Sequence, residues 1–464
     1  MDAGSDPGTD GTSPSRIRTD SSRSTGRTSG PSIAGSLSFA LVVYEGLEGS
    51  SGGFRYDREI VSRLRERGDT VEVIALPWRR YPAAVATAYS PRLRSRLDRD
   101  VDVLLEDGLC HPALWRHNRR IEGPDAVVGL LHHLRSDDPT ERFRSLIRPV
   151  ERRFLDSLDG VVATSAFTER RARTCCPALG PRPSLGSCSS PDPRPSLVAH
   201  PAGRAEAAAV PPDTLADRTA GDPFRVVYVG SVVPRKDLRT LLEALARIGP
   251  SRGEQHETGA RDNELEETRD APVDWRLTVI GDRTADPGYA DDALSRTHAL
   301  GIGDRVEFLG TVPTDVLVRK LESAHVCCVP SQYEAFGMAH LEAMERGAVP
   351  VAGSVGGASE FLADGVNGLV IDPGDPAALA DRLSRLATDR NLLAKIARGA
   401  LATADRQPGW DAVTESLRSF CGALATENVD GRGSAAVPDP HAVPDVRIEP
   451  HGAPSRGVEG AIDP

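Results

Sequence analysis

The chain has 464 residues, 39% of them hydrophobic, and a formal net charge of −11. That length supports two cored domains, the acidic balance argues against a general nucleic-acid binder, and no apolar run reaches the roughly 18–20 residues of a membrane span. Only three of the 56 basic residues are lysines, Lys236, Lys320 and Lys395, so each is worth following.

Residues 1–35 are rich in Gly, Ser, Thr and Asp and lack the apolar core of a secretory signal, so they read as a disordered arm of a cytoplasmic protein. FALVVY (Phe39 to Tyr44) then reads as a buried strand, followed by the loop EGLEGSSGG. FRYDREIVSRLRERG sets Ile60, Val61 and Leu64 on one helical face, and TVEVIALP is the next strand. VDVLLE, AVVGLL and GVVATS continue the alternation, which predicts a doubly wound parallel domain over 36–205. The Pro-, Gly- and Ser-dense run from Cys176 to Pro195 reads as a long loop, and 206–222 as a linker.

A second series starts at FRVVYVGS and alternates strand and helix through WRLTVIGD, DRVEFLG, HVCCVP, AVPVAG and GLVIDPGD. It predicts a second domain over 223–408, with a helix through ASEFLADG and helices from Pro376 to Arg398. The charged stretch Ser251 to Ala271 lacks an apolar face and reads as a solvated insertion. Residues 409–425 form one more helix, and 426–464 read as a disordered tail. The seven cysteines form no C-x-x-C pair and no zinc spacing, so they are expected to be reduced thiols, with Cys327 and Cys328 packed inside a strand.

Two segments carry the chemistry. GSVVPRKD, Gly230 to Asp237, leaves a strand on a glycine and places Arg235 and Lys236 at a helix start, a position that suits an anionic ligand. In SQYEAFGMAHLEAMERG, Glu334 follows a strand end, and Phe336, Gly337 and Met338 open a helix whose free amides suit a phosphate. Glu342 lies further along that helix. A carboxylate at each end suits vicinal hydroxyls, so a nucleotide sugar satisfies all three features. Asp98 and Asp100 form a D-x-D triplet at the amino end of a strand, read as a solvated turn rather than a metal site.

The spacing E-x7-E, with GSVVPRKD before it and SVGGASEFLADGVNGLVIDPGD after it, resembles the donor half of a retaining glycosyltransferase of family 4. The Gly-Gly of SSGGFRYDREIVSRLRERGDTVEV resembles that family's first acceptor-side loop, and the likeness runs from Phe39 to Cys421. The resemblance implies a GT-B-type fold, two Rossmann-like domains facing across a cleft, with 409–425 crossing back to the first. It also implies transfer of a hexose-type sugar from a nucleotide diphosphate sugar with retention. Glu334 would contact the sugar, Glu342 the ribose, Arg235 and Lys236 the diphosphate, and Gly53 and Gly230 would admit its close approach. His132 or His133, with His132 favoured, would lie near the reacting sugar.

No metal and no cofactor are expected, and the acceptor stays open among lipid-linked sugar, glycolipid, metabolite and protein. Arginines around PWRRYP and RSDDPTERFRSLIRPVERRF leave room for a peripheral membrane contact. The alternatives are another nucleotide-sugar enzyme on this scaffold, an epimerase or sugar-phosphate synthase, and a non-catalytic binding partner.

Overall fold

Strands that are apolar on both faces can only be satisfied between two layers of helix, and the chain supplies both layers twice. The computed structural model describes residues 35–49, 51–179, 194–204, 212–249 and 272–431. The arm, the insertion, most of the 176–195 loop and the tail beyond 431 lie outside the described residues.

The first sheet is built from β1 (Ser38–Tyr44), β2 (Thr70–Leu76), β3 (Val103–Asp107), β4 (Ala126–Leu131), β5 (Gly160–Ala163) and β6 (Ser196–Val198). All its pairings are parallel, in the order β2-β1-β3-β4-β5-β6. The helix Gly52–Glu66 forms because Tyr56, Ile60, Val61 and Leu64 recur at helical spacing and are buried against this sheet.

The second sheet contains β7 (Phe224–Val229), β8 (Trp275–Ile280), β9 (Val306–Gly310), β10 (Val326–Val329), β11 (Val349–Gly353) and β12 (Leu369–Ile371). Its order is β12-β11-β10-β7-β8-β9, again parallel. Cys327 and Cys328 are fully buried in β10 and serve as packing residues. Each sheet reverses its strand order once, between β1 and β3 and between β10 and β7. The crevice outside the strand carboxyl ends at such a reversal is where α/β sheets bind ligands.

Three expectations are redrawn. The segment expected as a linker contains the helix Pro212–Ala220, whose Leu215 enters the second core. The helix expected through ASEFLADG is only the 3-10 turn Gly357–Glu360. It stops there because the Asn367 side chain accepts from the Ala363 amide at 2.7 Å, offering that backbone a partner other than a helical carbonyl. The last helix runs Trp410–Gly431, beyond the expected boundary.

That last helix completes the first domain. Trp410, Val413, Leu417, Phe420 and Leu424 enter the core beneath β1, β3 and β4, and Arg418 grips Asp69 through two bonds of 2.8 and 3.0 Å. Leu417 is fully buried. Leu417→Ala is therefore expected to cost about 2–5 kcal/mol in urea denaturation. A change under about 0.5 kcal/mol, the size of an ordinary surface substitution, would show that the helix does not complete that core.

Candidate active site

Glu334 stands on the loop that leaves β10, and its position is set by backbone rather than by its own side chain. Its amide donates to the Val355 carbonyl at 3.2 Å, and its carbonyl accepts from the Gly357 amide at 3.0 Å. A Cβ at Gly356 would overlap the Glu334 carbonyl oxygen, and one at Gly357 would overlap that of Ala335. The Gly-Gly pair is thus the condition for bringing these two loops together.

The Glu334 carboxylate receives Lys236 Nζ at 2.5 Å and Ser331 Oγ at 3.2 Å. Burial works against its charge, but Lys236 and then Arg235 hold the carboxyl down at about 2. Gly230 ends β7 at φ 152° and lies along the Lys236 stem. Arg235 reaches Asp138 of the first domain at 3.8 Å. Lys236 keeps two further ammonium hydrogens for a ligand.

Gly337 caps the helix Met338–Glu345 in the left-handed region, φ 101°, where only glycine is unstrained. A Cβ there would come within 2.9 Å of His340 Nδ1. Burial drives His340 down to about 4, so it sits neutral beside the Glu334–Lys236 pair. Phe336 is a packing residue, stacked on His200 at 5.4 Å and tilted against Phe361 at 5.0 Å. Met338 turns toward the first domain, where a Cβ on Gly52 would stand 3.2 Å from its sulfur.

Glu342 is buried and bound to Arg55 of the first domain and, at 3.0 Å, to Arg204 Nε. Any ribose hydroxyl bound there would share the carboxylate with both arginines. Arg55 also donates to the Gly203 carbonyl at 2.8 Å, and the Arg204 amide donates to Glu345 at 2.7 Å. Further up the interface, Ser165 Oγ donates to the Ala335 carbonyl at 2.6 Å. The amides of Ala166 and Phe167 donate to Glu360 at 2.9 and 2.6 Å, placing its negative charge at a helix start.

The two histidines after β4 part company. His132 is buried, with Nε2 2.9 Å from Asp57 Oδ1 and its ring against Gly53, where a Cβ would lie 3.2 Å away. Burial opposes its charge, yet Asp57 and then Asp107 raise it to about 9. His133 is half-buried and driven down to about 3 by burial and by Arg235 across the cleft. Among the described residues, Asp57, Asp107 and His132 are also the one grouping compact enough to share a cation, but the imidazole nitrogen is already engaged with Asp57. The D-x-D residue Asp98 instead closes a turn, accepting from the amides of Glu122 and Gly123.

The loops after β7 and β10 thus bring Gly230, Arg235, Lys236, Glu334 and Gly337 to the reversal point of the second sheet. Gly53 and the histidines face them from the first. Arg55, Asp57, Asp107, Arg204 and His340 were not foreseen, because no local spacing distinguishes them from surface or core residues. A cavity of about 320 Å³ lies at the opposite, amino end of the second sheet, lined in part by Arg225, Arg305 and Lys320.

The same architecture occurs in solved structures. A sucrose-phosphate synthase from Thermosynechococcus elongatus aligns over 83% of this chain and 98% of its own, with a TM-score of 0.64 and 19% identity. HepE from Anabaena, solved in complex with UDP-glucose, aligns over 83% and 99%, with a TM-score of 0.62 and 17% identity. The protein therefore has the two-domain GT-B fold. Residues 216–402 match the family model of glycosyl transferases group 1.

Among curated proteins, the D-inositol 3-phosphate glycosyltransferase of Xylanimonas cellulosilytica is 36% identical over 146 residues, 32% of this chain and 35% of that protein. The enzyme of the same name from Corynebacterium glutamicum is 30% identical over 207 residues, 44% and 45% of the two chains. The chain thus spans less than half the length of these relatives. No helix among the described residues is long and apolar enough to cross a membrane.

Gly356→Ala is expected to displace the Glu334 loop and lower the melting free energy by about 1–3 kcal/mol. Gly288→Ala, at an exposed position in the first turn of the helix Pro287–Ala299 with only ordinary contact around it, is expected to be neutral or stabilising. Equal melting of the two variants would mean that the glycine pair does not hold the loop.

Proposed function

We propose that the protein is a retaining glycosyltransferase that moves a hexose-type sugar from a nucleoside diphosphate sugar to an acceptor hydroxyl without a catalytic metal. The observation that carries this reading is the buried Lys236–Glu334 pair, set at the strand reversal beside Arg235 and the start of the Met338 helix. The group 1 match over the same domain supports it.

In this reading Lys236, Arg235 and the helix amides receive the diphosphate and stabilise the charge that grows on it as it leaves. Glu334, held ionised, accepts from sugar hydroxyls, while Glu342 accepts from the ribose. No carboxylate stands free as a covalent nucleophile among the residues assembled here, so the acceptor oxygen attacks from the face the diphosphate leaves. UDP-glucose is the first donor to test, since it is the ligand in the HepE structure. A phosphorylated polyol is the first acceptor, after the name shared by the curated relatives.

Two measurements decide the roles. Lys236→Ala is expected to cost about 2–4 kcal/mol in the transfer barrier, as removal of one oxyanion donor does. Glu334→Gln is expected to lower turnover while leaving nucleoside diphosphate affinity, measured by calorimetry, nearly intact. Wild-type activity is expected to survive a chelator. Loss of activity in chelator with recovery in manganese would contradict the metal-free mechanism.

A further inference from the structure

His132 is surrounded by two carboxylates that the donor-site reading does not use. Asp57 comes from the second turn of the helix Gly52–Glu66, Asp107 is the last residue of β3, and His132 follows β4. All three are buried, at 1%, 5% and 9% exposure. Each offers a ligand-type atom within 4.8 Å of the others. They meet at the point where the first sheet reverses its strand order, so the grouping lies where that sheet addresses the cleft.

The ring has little freedom. Gly53 lies flat against it, and the Tyr56 ring meets it edge-on at 5.4 Å. The titratable groups facing it are Asp57, Asp107, Tyr56 and the neighbouring His133. Its Nε2 is held by Asp57, while Nδ1 has no protein hydrogen bond among the described residues. The charge state therefore decides what Nδ1 can do. In a neutral ring with its proton on Nε2, Nδ1 is an acceptor, whereas in an imidazolium it is a donor.

We propose that Asp57 and Asp107 are positioning residues that hold His132 as an imidazolium whose Nδ1–H donates to an oxygen of the sugar-nucleotide substrate. This rests on the donor reading above. Its physical basis is that deprotonation would leave two buried carboxylates facing one another with no cation between them. Burial disfavours the cation, but Asp57 and its hydrogen bond, with Asp107, outweigh that and raise the ring to about 9. Because the folded value is raised, the stability from this pairing is complete below the ordinary histidine value of about 6.5 and is lost as pH rises through about 9.

The test follows the His132 ring resonances by NMR through a pH titration of the full chain, assigned by loss in His132→Ala. In the wild type the ring is expected to stay protonated through pH 8. In Asp57→Asn, and to a lesser degree in Asp107→Asn, its midpoint is expected to fall by at least about one pH unit, a tenfold change in the protonated ratio. The pH profile of UDP-glucose turnover is expected to move with it. His132→Asn, which offers an N–H near the Nδ1 position without titrating, is expected to lower turnover and to lose the alkaline limb.

Comparison of UDP with UDP-glucose affinity tells whether the oxygen belongs to diphosphate or sugar. A wild-type ring titrating near 6.5 would overturn the proposal. So would an Asp57→Asn profile that shifts while the ring midpoint stays put. Should Asp57→Asn fail to fold, Asp107→Asn carries the same comparison. Absence of turnover with any nucleotide sugar would overturn the donor reading and the substrate contact with it, whereas the ring titration judges the charge by itself.

Discussion

The two domains meet over a buried ion pair, Arg55 with Glu342, and much of the site depends on it. A charge taken out of water is tolerated only when its remaining donors and acceptors are also satisfied. Here the Gly203 carbonyl takes the other arm of Arg55, while Arg204 Nε stands 3.0 Å from the other carboxylate oxygen as an ion pair without hydrogen-bond geometry. Breaking the pair from one side would strand a charge in the interface. The requirement sets the start of the first helix against the Met338 helix, where a Cβ on Gly52 would crowd the Met338 sulfur at 3.2 Å and one on Gly53 the His132 ring at 3.2 Å.

From that contact outward the site divides by physical task. Backbone geometry sets positions: Gly356 and Gly357 let the loops after β10 and β11 approach closer than a side chain permits, and Gly337 turns the chain through the left-handed region. Buried charge then sets reactivity, with Glu334 held ionised by Lys236 and His132 held charged by its two acids. The resulting field is local. A net charge of −11 over the whole chain does not describe the interface, where Arg55 and Arg204 gather on Glu342, and Lys236 on Glu334.

What was legible in the sequence follows from range. The two sheets, the glycine turns and the E-x7-E spacing are local signals, and those elements stand where the pattern put them. Arg55 was not legible, because its partner lies 287 residues away and the helix around it reads as amphipathic with an exposed polar face. Asp57 hides in that face for the same reason, and Asp107 reads as the ordinary polar end of a strand. The 3-10 turn at Gly357–Glu360 was misread as a helix because periodicity does not show that the Asn367 side chain takes the Ala363 amide.

The central claim, that the loops after β7 and β10 form a nucleoside diphosphate site, is tested most directly by amide hydrogen exchange with and without UDP. The account predicts added protection in residues 230–237 and 331–342, with little change around Arg225 and Arg305 at the far end of the sheet. Protection confined to that far end, or none in either loop at saturating nucleotide, would contradict it.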